Sequence, residues 1–349
     1  VTQLNSKRIL VTGGCGSIGS ALVKRILQDG PELVRVVDND EGRLHEMQKK
    51  LGIQHQRRLE TTYKDVRDFY EMTDAMKGIE VVFHAAALKH VGIVEQDPFQ
   101  AVKTNVEGTK NVLHAATKED VESVITVSTD KASNPVSAMG ATKLLSERLT
   151  IAANDSKDIR NIRLGCVRFG NVLGTRGSVV PVFLDQMQQG GPITVTDPEM
   201  TRFVMSPAEA ANFVVEAFET VSGGEVVVRK MPAFKLGVLA DALREKYAAD
   251  FGYEPAEIRT RIVGSGPTER YHEKLVSEDE VKHAVEESNR FILFPNERSM
   301  PTDDAETRCS ITGEYTSEDA RRLSKTELLR LLDEVDGHLP TTTAASQRS

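Results

Sequence analysis

Cysteine is scarce in this chain. Cys15, Cys166 and Cys309 are the only three in 349 residues, and they form no CxxC pair. That argues against a disulfide framework or a cysteine-ligated zinc and fits a reducing compartment. Surplus positive charge is also missing. The 44 Lys and Arg stand against 52 Asp and Glu, a net charge of −8, whereas a nucleic-acid binder carries a basic patch or stripe. Long apolar runs are lacking too. No window approaches the ~18 apolar residues of a membrane helix, and the first nine residues hold no apolar signal core. The expectation is a cytoplasmic protein with neither membrane nor nucleic acid among its partners.

Hydrophobic residues make up 39% of the chain, enough for a sizeable core, and the length suits two packed units. Residues 8–12, 34–38, 81–85, 124–129 and 162–169 read as buried strands. Between the first two, Ile18, Leu22 and Ile26 recur every fourth residue, so 18–29 is a helix with one apolar stripe. Stretches 98–117 and 137–153 are helical by the same test, the first opening at Asp97-Pro98 as cap and N1 proline. This alternation predicts an α/β fold with a doubly wound parallel sheet. Beyond residue 170 the rhythm breaks into Gly- and Pro-punctuated segments, and 301–316 reads as polar and irregular. The expected division is 1–170 as a Rossmann-type nucleotide domain with elements near 205–230 returning to it, 171–339 mainly as a smaller substrate-binding domain, and 340–349 as a disordered tail.

The strand at 8–12 runs into Gly13-Gly14-Cys15-Gly16-Ser17-Ile18-Gly19, which opens the first helix. Glycines at 13, 16 and 19 let backbone N–H groups approach a pyrophosphate, while the helix N-terminus supplies positive dipole. A glycine pattern alone is weak, since it also makes tight turns. Here it has a strand before it, a helix after it, and Asp38 closing the second strand 19 positions beyond Gly19, near the ~20 expected for a ribose-binding carboxylate. A carboxylate there accepts from a 2′-hydroxyl and repels a 2′-phosphate, so NAD is expected over NADP. Cys15 reads as a small filler of the loop. Further along, the strand at 124–129 ends in Ser128-Thr129-Asp130-Lys131, with Lys143 on the helix that follows. Ligands of open parallel sheets sit beyond the carboxyl ends of the strands, which places Thr129, Asp130 and Lys131 beside the nicotinamide. An arbitrary Asp-Lys would be a solvated surface pair; at this location it reads as chemistry.

Several segments carry a family resemblance: Val81-Val82-Phe83-His84-Ala85-Ala86-Ala87-Leu88-Lys89-His90, Lys103-Thr104-Asn105-Val106-Glu107-Gly108-Thr109, Ser128-Thr129-Asp130-Lys131-Ala132, Met139-Gly140-Ala141-Thr142-Lys143, Arg168-Phe169-Gly170-Asn171-Val172, Arg176-Gly177-Ser178-Val179-Val180-Pro181 and Thr196-Asp197-Pro198-Glu199-Met200-Thr201-Arg202-Phe203. In this order the chain resembles the extended short-chain dehydrogenases/reductases, in particular the polysaccharide-biosynthesis branch of UDP-N-acetylglucosamine 4,6-dehydratases. The resemblance implies a tightly bound NAD held by Gly13, Gly16, Ser17, Ile18, Gly19, Asp38, Asn39, Asp65, Val66, Ala85, Ala86, Lys89, Ser128 and Lys143. It implies catalytic roles for Thr129, Asp130, Lys131 and Lys143, with Asn105 organising the site. It also implies a UDP-linked amino sugar met by Lys89, Asn171, Val172, Arg176, Ser178, Thr194, Arg202 and Glu269, and a homo-oligomer built partly through the helices at 98–117 and 137–153. Arginine suits the diphosphate because its planar fork donates two hydrogen bonds.

In the implied cycle the hexose is oxidised at C4, Lys131 removes the acidified C5 proton, and Asp130 helps the C6 hydroxyl leave as water. A lysine base must be neutral, and a free lysine, with pKa ~10.4, is not; burial or a neighbouring cation has to shift it.

The sequence departs from the family in two places. Most short-chain dehydrogenases carry Tyr four residues before the lysine, where this chain has Met139. A thioether cannot deprotonate an alcohol, so plain alcohol oxidation and ordinary 4-epimerisation are disfavoured. Methionine here resembles certain amino-sugar dehydratases, including 5-inverting forms. The C4 proton is left to Thr129, Asp130 or a water near Lys143. At Gly264-Ser265-Gly266-Pro267-Thr268-Glu269-Arg270 the family's Arg-Pro-Gly-Glu-Lys pattern is imperfect, with Gly266 where an arginine is expected. Other readings remain: another nucleotide-sugar dehydratase or an epimerase on the same fold, or a non-catalytic NAD-binding regulator. His84 and His90 lack metal-ligand spacing, and no metal is expected.

Overall fold

The computed structural model describes residues 3–55, 57–154, 162–296, 299–300 and 309–335. The expected tail at 340–349 and the first half of the polar stretch at 301–316 lie outside these. The chain falls into two compact units: Val1–Phe169 with Ala208–Lys230 and Lys274–Tyr315, and Gly170–Pro207 with Met231–Glu273 and Thr316–Ser349.

The first unit is built on nine strands: β1 (Arg8–Thr12), β2 (Leu33–Asp38), β3 (Leu59–Tyr63), β4 (Val81–His84), β5 (Ser123–Val127), β6 (Arg163–Arg168), β7 (Val226–Arg229), β8 (Ala284–Glu286) and β9 (Arg290–Leu293). Their order across the sheet is β8-β9-β7-β6-β5-β4-β1-β2-β3. All neighbours are parallel except β7–β9 and β8–β9. The central strands, such as Val81–His84 and Ser123–Val127, are short and apolar because both faces of a parallel sheet are covered. Leu22, Val23 and Ile26 of α1 (Ser17–Gln28) are buried. A layer of Leu10, Val82 and Val124 packs with Met72, Val112 and Leu113. Each such side chain contributes about 1.5–3 kcal/mol by leaving water.

Three differences from the sequence reading have physical causes. The strand β3, Leu-Glu-Thr-Thr-Tyr, has too few apolar residues to signal a strand and exists through pairing with β2. The helix expected over 98–117 is instead Pro98–Ala101, a π-helical turn Val102–Glu107, and Gly108–Lys118. The 274–315 stretch, expected with the substrate domain, supplies β8 and β9 to the first unit, because β9 pairs antiparallel with β7.

The second unit carries a three-stranded sheet of Ala233–Lys235, Thr201–Met205 and Asn171–Val172 and a parallel pair of Thr260–Ile262 with Ile193–Val195. Val180, Phe183 and Met187 of helix Val179–Gln188 pack with Leu239, Leu243, Leu328 and Leu332 in its core.

Candidate active site

In the first unit β1 lies between β2 and β4, so the chain leaves it in opposite directions on either side; this switch point opens the crevice. Gly13 has φ +63°, and a Cβ there would stand 2.6 Å from the Ala86 N and Cα. Only glycine lets the loop close on the end of β4. Gly16 N–H donates to Gly13 O at 3.0 Å, and a side chain on Gly19 would run into the same carbonyl. Gly16 caps α1 with extended backbone and no side-chain hydrogen bond, and the first turn has no acidic residue. The first N–H groups of a helix lack intrahelical acceptors; here, at Ser17 and Ile18, they suit a pyrophosphate. Asp38 sits beside this loop, its carboxylate accepting from Cys15 N–H at 2.9 Å and Asp40 N–H at 3.2 Å. Asn39 hydrogen-bonds Asp65, and an ion pair with Arg67 holds the Asp65 carboxyl below the usual carboxylate range. Val66 lies under Gly108, where a Cβ would come within 2.9 Å of Val66 Cγ2. These residues form a cradle that fits a dinucleotide.

The π-helical turn places Asn105, 1% exposed, so that its amide clips the backbone after β4. Leu88 N–H donates to Asn105 Oδ1 at 2.8 Å, and Asn105 Nδ2 donates to Leu88 O at 3.0 Å and Thr142 Oγ1 at 2.9 Å. The exposed Lys89 is held on this loop. The Asn105 carbonyl accepts from Thr109 Oγ1 at 2.6 Å and Ser146 Oγ at 2.7 Å. A buried imidazole links these to β1: His84 lies 2.7 Å from Thr12 Oγ1 and 3.0 Å from Thr109 Oγ1. Burial, with the charge of Lys143 nearby, pushes His84 down to about 3, so it is neutral at physiological pH. His90 is exposed and begins the helix Val91–Gln96. Among the described residues no three His, Cys, Asp or Glu side chains gather as metal ligands do.

After β5 the chain makes a short turn, Asp130–Ala132, capped by Thr129. Thr129 Oγ1 donates to Asp130 Oδ1 at 2.8 Å, and Lys131 Nζ donates to the same oxygen at 3.1 Å. Asp130 is 1% exposed and Lys131 27%: the acid is withdrawn from solvent while the amine reaches it. The turn packs tightly on the helix Ala138–Asn154, since a Cβ on Gly140 would fall on the Lys131 carbonyl. Lys143, buried in that helix, donates to Val127 O at 2.7 Å. Burial lowers its pKa, and Glu147 one turn on acts against this. Ser128 Oγ is buried with no protein partner, a hydroxyl available to a ligand. Met139 is 3% exposed and packs with Val94 and Ala101; it fills an apolar space beside the turn.

In the second unit Arg202 is buried and engaged. It donates to Glu269 at 2.8 Å and to the carbonyls of Thr201 and Tyr271 at 2.8 and 3.2 Å, with Glu273 at 3.7 Å. Two residues expected to meet the substrate, Arg202 and Glu269, are thus each other's partners. Thr194 is bound to the Gln186 side chain. Asn171 and Val172 pair with Val204 and Met205. Arg176 is exposed, and Ser178 begins the helix Val179–Gln188. Buried Asn171 Oδ1 and Ser178 Oγ have no protein partner, as polar atoms awaiting a ligand do.

Thr12, Thr109, Thr142, Ser146, Gly140 and Glu280 were missed from sequence. Thr109 lies four residues after Asn105, a one-turn spacing in sequence, but its partners come from β4 and the helix Ala138–Asn154. Glu280 reaches Arg168 and Ser133 from over a hundred residues away.

The profile of the family described as polysaccharide biosynthesis protein matches residues 9–295. A relative named uncharacterized membrane protein, from Methanocaldococcus jannaschii, is 43% identical over 94% of this chain and 96% of its own length. A UDP-glucose 4-epimerase of Rickettsia bellii is 37% identical over 95% of this chain and 96% of its own. The crystal structure of Pen from Bacillus thuringiensis superposes with a TM-score of 0.86 at 34% identity, covering 95% of this chain and 98% of that one. The chain belongs to the polysaccharide-biosynthesis protein family, within the extended short-chain dehydrogenases/reductases. Despite the name of the archaeal relative, no helix among the described residues is long and apolar enough to cross a membrane.

Proposed function

We propose that the protein is a nucleotide-sugar 4,6-dehydratase that converts UDP-N-acetylglucosamine to a UDP-linked 2-acetamido-2,6-dideoxy-4-hexulose, with inversion at C5. The observation that carries this reading is the Asp130–Lys131 pair at the end of β5: a buried carboxyl group and a half-exposed amine sharing one oxygen. Epimerisation at C4 has no use for a second acid and base, whereas water elimination across C5 and C6 requires both. A bound nicotinamide supplies the hydride acceptor for C4 and the donor for C6. Lys131, once its proton is lost to the solvent it faces, takes the C5 proton, and protonated Asp130 delivers its proton to O6. Met139 leaves no phenol to crowd C4, which favours a ring shift and proton return from the opposite face.

The second reading, a UDP-glucose 4-epimerase, rests on the name of the Rickettsia relative. Proton NMR of the product formed in D₂O separates the two. A 6-deoxy-4-ketose with deuterium at C5 is expected, its ring couplings giving the C5 configuration; the C4 epimer alone would establish the epimerase instead.

The cofactor of this reading is NAD rather than NADP, supported by Asp38 beside the glycine loop. Titration should show tighter binding of NAD, with the preference narrowed in Asp38→Ala. Equal affinities in the unaltered protein would refute the specificity. The reading also includes a homo-oligomer through 98–117 and 137–153, supported by Phe99 and Leu145, which stand 76% and 50% exposed there. Light scattering at micromolar concentration should show more than one chain per particle, and a monomer would rule it out.

A further inference from the structure

The family tyrosine is absent, so the proton of the C4 hydroxyl needs another acceptor. Resting on the dehydratase reading, we propose that it leaves through Thr129 to Asp130, and that Asp130 later delivers this proton to the departing C6 hydroxyl. Oxidation at C4 thereby loads the acid that elimination consumes.

Other groups nearby are unsuited. Met139 is a thioether packed among apolar side chains. Lys143 is turned into the protein, its ammonium donating to Val127 O. The imidazole of His84 lies against Thr12 and Thr109 on both its nitrogens. Thr129 differs in polarity. Its single hydroxyl hydrogen goes to Asp130 Oδ1 at 2.8 Å. The lone pairs of Oγ1 remain as acceptors, one of them toward Lys131 N–H at 3.4 Å. A substrate hydroxyl meeting Oγ1 must therefore donate, and the chain from O4 through Oγ1 to Oδ1 runs in one direction.

The proton count closes. Lys131 enters as the free amine and Asp130 as the carboxylate. The O4–H and C4–H bonds break; C4 is oxidised to the ketone, and two electrons leave with the hydride to an oxidised nicotinamide dinucleotide. The O4 proton passes to Thr129 Oγ1 as the Thr129 proton passes to Asp130. Lys131 takes the C5 proton, the C6–O bond breaks, and the oxygen leaves as water with the proton from Asp130. Hydride returns to C6 and, once the ring has shifted, Lys131 returns its proton to the opposite face of C5, restoring both residues.

Thr129→Val and Thr129→Ser in the full chain, each checked for cofactor content, test the route. Conversion of UDP-N-acetylglucosamine should fall ~10²–10⁴-fold in the valine variant, the usual worth of a positioned proton acceptor, and recover largely in the serine variant. Exchange of the C5 hydrogen of the 4-keto-6-deoxy product in D₂O uses Lys131 but no C4 hydroxyl. It should slow by no more than about threefold in Thr129→Val, far below the loss of a general base. Wild-type turnover in Thr129→Val, or equal loss of conversion and exchange, overturns the route while leaving dehydration standing. Unaltered protein that neither forms the product nor exchanges C5 would instead overturn the dehydratase reading beneath it.

Discussion

Lys131→Ala is expected to lower dehydration by ~10²–10⁴-fold or more, the contribution of a positioned general base, while NAD binding stays near that of the unaltered protein. The glycine cradle and Asp38 lie at the ends of β1 and β2, remote in sequence from the turn after β5, and are held by bonds such as Cys15 N–H to Asp38 and Gly16 N–H to Gly13 O. The variant should also lose C5 exchange of the ketone product, a signature that separates it from Thr129→Val. Asp130→Asn should show the Thr129→Val pattern rather than that of Lys131→Ala. Its amide cannot protonate O6, so conversion drops severely while Lys131 remains able to exchange C5. Product NMR and C5 deuterium uptake read all of this directly. Wild-type turnover in Lys131→Ala would remove the base from the mechanism.

Arg168→Met is expected to cost about 3–5 kcal/mol of stability, the usual penalty for breaking a buried ion pair from one side. Arg168 is 1% exposed at the end of β6, with Glu147 and Glu280 each 2.7 Å from Nη2 and Leu275 O 2.8 Å from Nη1. Removing the guanidinium leaves Glu147 charged in a dry interior. Glu280 also accepts from Ser277 N–H at 2.9 Å and Ser133 Oγ at 3.4 Å, so the loss loosens the segment after Lys274 and the turn that carries Lys131. Urea unfolding measures the penalty. Arg168→Met combined with Glu147→Met should recover part of it, because apolar replacement of a buried pair is often near neutral.

The same triad predicts a pH dependence. Burial alone would raise the Glu280 pKa, but Arg168 and the Ser277 cap bring it down to about 2 from its ordinary 4.5. A carboxylate with a depressed folded pKa contributes stability that is fully present above about 4.5 and lost as the pH falls through about 2, here on the order of 3 kcal/mol. The slope of stability against pH in this window should flatten in Arg168→Met. An unchanged slope would show that the triad does not set it.

Residues that signal by local spacing were legible without coordinates. Gly13, Gly16 and Gly19 between a strand and a helix, and Asp38 at the next strand end, state a backbone requirement, and the structure meets it with a loop that only glycine lets close on Ala86. Asn105 was found through family resemblance. Its mode of action was not, because a π-helical turn leaves no mark in hydrophobic periodicity. Arg202 and Glu269 were both expected to face substrate, yet an arginine and a carboxylate 67 positions apart give no local sign that they pair with each other.

By itself, then, the sequence determined the parallel α/β framework, the dinucleotide cradle and the strand end that carries Thr129, Asp130 and Lys131. All of these follow from repeats of two, three or four residues set by backbone geometry. The tertiary structure alone decided the rest. It made a strand of the polar Leu59–Tyr63, drew Ala284–Leu293 into the first unit's sheet, tied His84 to Thr12 and Thr109, and joined Glu147, Arg168 and Glu280. Each of these depends on partners far apart in the chain, whose energies come from burial and from satisfying polar groups out of water, and those terms exist only once the chain has folded.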